Sequence, residues 1–96
     1  MTRILTLAPP LQRGSSATAA LGNAQQLIET LQHEIRDSAD IVLLPLGCLS
    51  GGEGLESRDS ANDAIAILRS AAQRLQIILA GADHFGGVTL GFVLAP

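Results

Sequence analysis

The stretch "IVLLPLGCLSGGEG", Ile41 to Gly54, decides how this chain is read. Ile41–Pro45 is apolar at every position, the pattern of a strand covered on both faces rather than one alternating between core and water. It runs into a loop with Gly47, Gly51, Gly52, Gly54 and the only cysteine, Cys48. Loops at strand ends are where rigid scaffolds carry binding and catalytic groups, so the stretch asks whether Cys48 or a neighbour does chemistry.

Outward toward the N-terminus, Asp40 marks the strand entry. Arg3–Ala8 ("RILTLA") predicts a first strand, ended by Pro9 and Pro10, which have no N–H to give a ladder. Between them a helix is expected over Ala17–Asp37. Leu21, Ala24, Ile28, Leu31 and Ile35 recur at spacings of three and four, while Gln25, Gln26, Glu29, Gln32, His33 and Arg36 take the other faces. Ser15 or Ser16 is placed to cap its start, and Gly22 weakens the stripe.

Outward toward the C-terminus, Ala61–Leu75 predicts a second helix with the stripe Ala64, Ile65, Leu68, Ala72 and Leu75. Ser60 and Asp63 resemble a capping box with a shortened acid. Ile77–Gly81 reads as a third strand, "ADHFGG" as a turn, and Val88–Ala95 as a fourth strand, with Gly86–Gly87 suited to a hairpin. The order β-α-β-α-β-β predicts an α/β fold with a mainly parallel sheet, right-handed crossovers and an antiparallel fourth strand. Residues 1–96 are expected to form one domain, without internal repeats or low-complexity linkers. If both crossovers pack on one face, the other apolar face requires a second sheet or another chain. The alternative places one helix on each face, as in a doubly wound sheet.

Composition narrows the partners. The chain is 47% hydrophobic, 16% charged and 2% aromatic, which is globular rather than disordered. A chain of 96 residues buries roughly 60–65% of its unfolded surface, so its own core is modest. Net charge is −3, all six cations are scattered arginines, and no basic patch interleaved with aromatics is present. Nucleic acid and a membrane surface are therefore not expected as partners. One cysteine forms no internal disulfide, and no run is long enough for a signal-peptide core or a bilayer span, so the cytoplasm is the expected compartment.

With these residues in place, the chain resembles the N-terminal part of the carbon–nitrogen hydrolase (nitrilase) superfamily. It is most similar to the glutaminase domain of glutamine-dependent NAD synthetases. The similarity lies in "RILTLAPPLQRG", Asn23 with "NAQQLIETL", "SADIVLLPLGCLSGG" and "IILAGADHFGG", and is most specific at Ala39, Asp40, Pro45, Cys48, Leu49, Ser50 and Gly51. It implies a four-layer α-β-β-α sandwich, of which this chain would supply one helix layer and one sheet. A whole domain of that family is more than twice this length and tends to dimerise.

The resemblance also implies a chemistry: amide hydrolysis, of glutamine, feeding NAD synthesis. A cysteine nucleophile, a glutamate base and an oxyanion-stabilising lysine carry it. The family's glutamate follows the proline at the end of strand two, where this chain has Leu46. The lysine and nucleophilic cysteine belong to later parts of the family's chain, and no lysine occurs here. Cys48 matches the ordinary residue before "L-[ST]-G", and Gly52 replaces the tyrosine that usually follows. No catalytic, cofactor-binding or metal residue is assigned and no cofactor is expected. The chain is read as a partial or degenerate member, a single truncated domain inactive alone: a gene remnant, a split half that associates with a missing half, or a small interaction module, its apolar sheet face covered by a complementary chain or by a copy of itself. The alternative is a non-catalytic association module without that ancestry, or a small ligand-binding domain using Gly47–Gly54.

The remaining candidates have plainer readings. Glu53 and Glu56 stand too far beyond the strand end to serve as the base. Cys48 lacks a neighbouring cation and reads as a partly buried thiol. "GGEG" lacks the spacing of a phosphate-binding turn and reads as a flexible loop. His33 is expected on a solvated helix face. Asp83 and His84 together are two metal ligands without a third, and read as turn residues. "EGLESRDSAND" reads as a solvated loop and helix cap.

Overall fold

The computed structural model describes residues 3–34 and 40–96. Its order is β1 (Ile4–Thr6), α1 (Ala17–Glu34), β2 (Ile41–Leu46), a 3₁₀ turn (Asp59–Ala61), α2 (Asn62–Leu75), β3 (Ile78–Phe85) and β4 (Val88–Leu94). The four strands form one sheet in the order β1-β2-β3-β4, parallel except for the antiparallel β3–β4 pair. Two right-handed crossovers that step the same way along a sheet put both helices on the same face. The result is one helix layer against one sheet, the single-face arrangement rather than the doubly wound alternative.

The strands alternate, so the sheet has two different faces. Leu5, Val42, Leu79 and Leu94 stand side by side beneath the helices. Val42, Leu79 and Leu94 form one apolar core with Ala20, Ala24, Leu27, Leu31, Ala64, Leu68 and Ala72, and half-buried Leu5 packs against it. On the opposite face Ile4, Ile41 and Ile78 form one cross-strand row, and Thr6, Leu43, Ala80 and Val93 another. Among the described residues nothing covers this second face: Ile4 is 62% exposed, Leu43 41% and Val93 72%. The run Ile41–Pro45 therefore does not reflect cover on both faces within this chain.

The helices differ from the expected stripes in detail. In α1 the buried residues are Ala20, Asn23, Ala24, Leu27 and Leu31, while Leu21 and Ile28 are half-buried. The band sits about one position away from the expected one because α1 meets α2 along its flank as well as the sheet below. Ile35, Arg36, Asp37 and Ala39, named in the sequence reading, lie outside the described residues. Ser16 caps α1, its Oγ accepting from Ala19 N at 3.2 Å. The Ser60–Asp63 capping box does not form: α2 starts at Asn62, out of the 3₁₀ turn, with no side-chain cap at Ala61.

Strand β3 extends well past Gly81, through Ala82, Asp83 and His84 to Phe85. Only Gly86 and Gly87 turn, with φ of 58° and 86°, the paired positive values that a two-residue hairpin between right-twisted strands requires. The expectation of a six-residue turn misread the polar pair Asp83–His84 as a loop signal.

α2 ends at Gln76, the one described non-glycine residue with positive φ, 55°. That conformation favours glycine. Gln76→Gly is expected to stabilise the fold by about 0.5–1 kcal/mol, read as a shift of the urea midpoint at unchanged slope.

Candidate functional site

The candidate site lies at the carboxyl ends of β1 and β2, where a parallel sheet presents its loops. Pro45 has no N–H, and the β2–β3 ladder slips beside it: Leu43 pairs with Ala80, and Leu46 with Ala82. Three residues of β2 thus match two of β3. Strict alternation would have put Leu46 with Val42 and Leu44 against the helices. The bulge turns it onto the open face with Leu43, 66% exposed. The position that the resemblance gives to the catalytic base is therefore displayed at the mouth of a cleft, as a leucine.

That cleft, about 260 Å³, lies between the loop that follows β1 and the loop that follows β2. Pro9, Leu11, Pro45, Leu46, Gly47 and Gly51 are among the residues that line it, and none of the lining side chains can take or give a proton. Glu53 and Glu56 are exposed and do not line it.

Cys48 is fully buried, not partly. Its Sγ lies 3.9 Å from the Ala82 carbonyl oxygen and over Gly81, where a Cβ would stand 3.2 Å from the sulfur. Burial first, and the Asp83 carboxylate second, push the thiol up from 9.0 to about 12. A thiol held protonated and away from solvent is not a nucleophile at neutral pH.

The loop from Gly47 to Gly54 is held in place by Asp83. This carboxylate is fully buried. Oδ2 accepts the backbone N–H of Leu49 at 3.0 Å and of Ser50 at 2.8 Å. Oδ1 accepts the Ser50 hydroxyl at 2.8 Å and the His84 N–H at 2.7 Å. Ser50 Oγ in turn accepts from Gly54 N at 2.8 Å, so "GGEG" is a closed turn rather than a flexible loop. On the other side, buried Asn23 accepts from Gln12 N and donates to the Gln12 and Leu49 carbonyls, all at 2.8–2.9 Å. Gly51 lies against the Gln12 backbone, where a Cβ would collide with the carbonyl; its φ of 66° also demands glycine.

Asp83 and His84 do not converge. As strand neighbours they point to opposite faces, and His84 Nδ1 lies 2.6 Å from Thr89 Oγ1 on β4. Among the described residues, no group of three or more His, Cys, Asp or Glu is arranged to hold a metal ion. His33 is exposed on α1. No described helix is long and apolar enough to cross a membrane. The residues that sequence reasoning missed are Asp83 and Ser50 as a structural pair. The available signal was an acid set within the apolar run of β3.

The chain matches no family model, no curated protein and no solved structure.

Two outcomes are expected from this geometry. Asp83→Asn replaces an acceptor of four hydrogen bonds by a group with one oxygen and an N–H₂ facing donors. It should cost about 3 kcal/mol in urea unfolding. For Cys48, both folded and unfolded chains hold the thiol proton below about pH 9. Between 9.0 and about 12 the unfolded thiol ionises while the folded one does not, so stability falls as pH rises. Stability measured against pH should decline more steeply there for the natural chain than for Cys48→Ala, and thiol reagents should label Cys48 only as the fold opens.

Proposed function

We propose that this chain is a degenerate carbon–nitrogen hydrolase-like domain, without hydrolytic activity of its own, that acts by associating through its open sheet face. The observation that carries the reading is Leu46, exposed at the bulged end of β2. It occupies the place where the resemblance puts the base, and it adds to an apolar surface instead of charging the cleft. Supporting it are the buried, protonated Cys48 and the absence of lysine from the sequence. Among the described residues that line the cleft, none offers an acid, thiolate or ammonium for acyl transfer.

The partner is a protein surface able to cover an apolar sheet: a complementary chain, or a second copy. The lone buried thiol and the want of basic patches suit the cytoplasm and argue against nucleic acid or lipid. The purified chain should release no ammonia from glutamine above the uncatalysed rate in a coupled assay. Leu46→Glu should not change that, because a base alone has no nucleophile to activate. Steady turnover by either protein contradicts the reading.

A further inference from the structure

The open face is corrugated. Ile41, Leu43 and Leu46 raise a ridge along β2, and beside Leu43 and Leu46 the small Ala80 and Ala82 leave a short trough along β3, closed at one end by Ile78. Ridge and trough are adjacent and run the same way. A two-fold axis parallel to the strands, between β2 and β3, therefore lays Leu43 and Leu46 of one copy over Ala80 and Ala82 of the other, with Ile41 over Ile78 at the end. Such a surface is complementary to itself, which is the requirement of an isologous pair.

Extent and charge agree with this. Four strands spaced about 4.8 Å apart, with roughly six residues each rising about 3.3 Å, make a face near 19 by 20 Å. Stacking two such corrugated faces removes on the order of 1,000 Å² from water, about the threshold for specific pairing. The rows across the face contain no acid or arginine. His84 is the single titratable side chain on it, at one corner against Thr89. The chain's net charge of −3 is thus not opposed to itself across the stack, and no charged feature of the face selects a different partner.

We infer that a second copy of this chain covers the face, sheet on sheet at the usual separation of about 10 Å, giving an α-β-β-α assembly from two chains. This rests on the association reading above and names its partner.

The test is sedimentation velocity across a wide dilution series, comparing the natural chain with Leu43→Lys/Val93→Lys. Both substituted residues are exposed on the open face. The natural chain is expected to dimerise, and the variant to dissociate with a Kd raised roughly 100-fold or more. A control with the same added charge on α1, Gln25→Lys/Gln32→Lys, should remain dimeric. Circular dichroism checks folding. If the double variant does not fold, Ala80→Gln fills the trough with a smaller change and should dissociate the dimer in its place. A dimer that survives the folded face variants overturns the inference, since its interface lies elsewhere. A natural chain that stays monomeric yet binds a hydrophobic dye overturns the second copy while leaving the face open to another protein. A monomer that binds no dye overturns both readings.

Discussion

The buried carboxylate of Asp83 holds the working end of this fold together. A carboxylate out of water is tolerated only where its lone pairs are met by donors, and here three backbone N–H groups and one hydroxyl supply them. Two of the N–H groups come from Leu49 and Ser50, so the last turns of β3 dictate the path of the loop after β2. Asn23 extends the same constraint to the loop after β1 through Gln12 and Leu49. Three strands and one helix are thereby joined at one end by buried polar side chains whose hydrogen bonds are all made within the fold. Backbone donors spent on a structural carboxylate are not available for an oxyanion.

Cys48 follows from that arrangement. Once the Asp83 bonds draw Leu49 and Ser50 inward, the preceding side chain has only the space above Gly81 to enter. There it meets the Ala82 carbonyl and the field of the carboxylate, both inside the core. A residue that draws attention as a candidate nucleophile is, physically, a small apolar filler whose reactivity is suppressed by what surrounds it.

The fold was largely legible because it is written in periodicity. Both helices and the four strands fall near the expected positions, since apolar residues at spacings of three to four mark the helices and short apolar runs bounded by proline and glycine mark the strands. The finer errors have specific causes. Asp83–His84 resembles a turn because isolated polar residues usually are turns; only the distant Ser50 and Leu49 make a strand position tolerable for Asp83. The helix α1 stripe is displaced by packing along the flank of α2, and within the displaced band Asn23, polar by type, is buried by bonds to two loops. The side chain at Leu46 could not be placed by alternation, because the slip at Pro45 reverses its face. Long-range pairing and a bulge leave no local pattern.

The bulge and the leucine belong together. An exposed carboxylate at position 46, beside Leu43 and within reach of Ala82, would interrupt the apolar ridge of β2 and oppose any dry cover of that face. With leucine there, the ridge continues to the end of the strand and the cleft behind it is apolar too. A leucine at that exposed place offers no proton-transfer group and keeps the sheet face apolar to the end of the strand. The slip at Pro45 is what puts this side chain on the open face, so the leucine serves the apolar ridge of the sheet and the apolar lip of the cleft together.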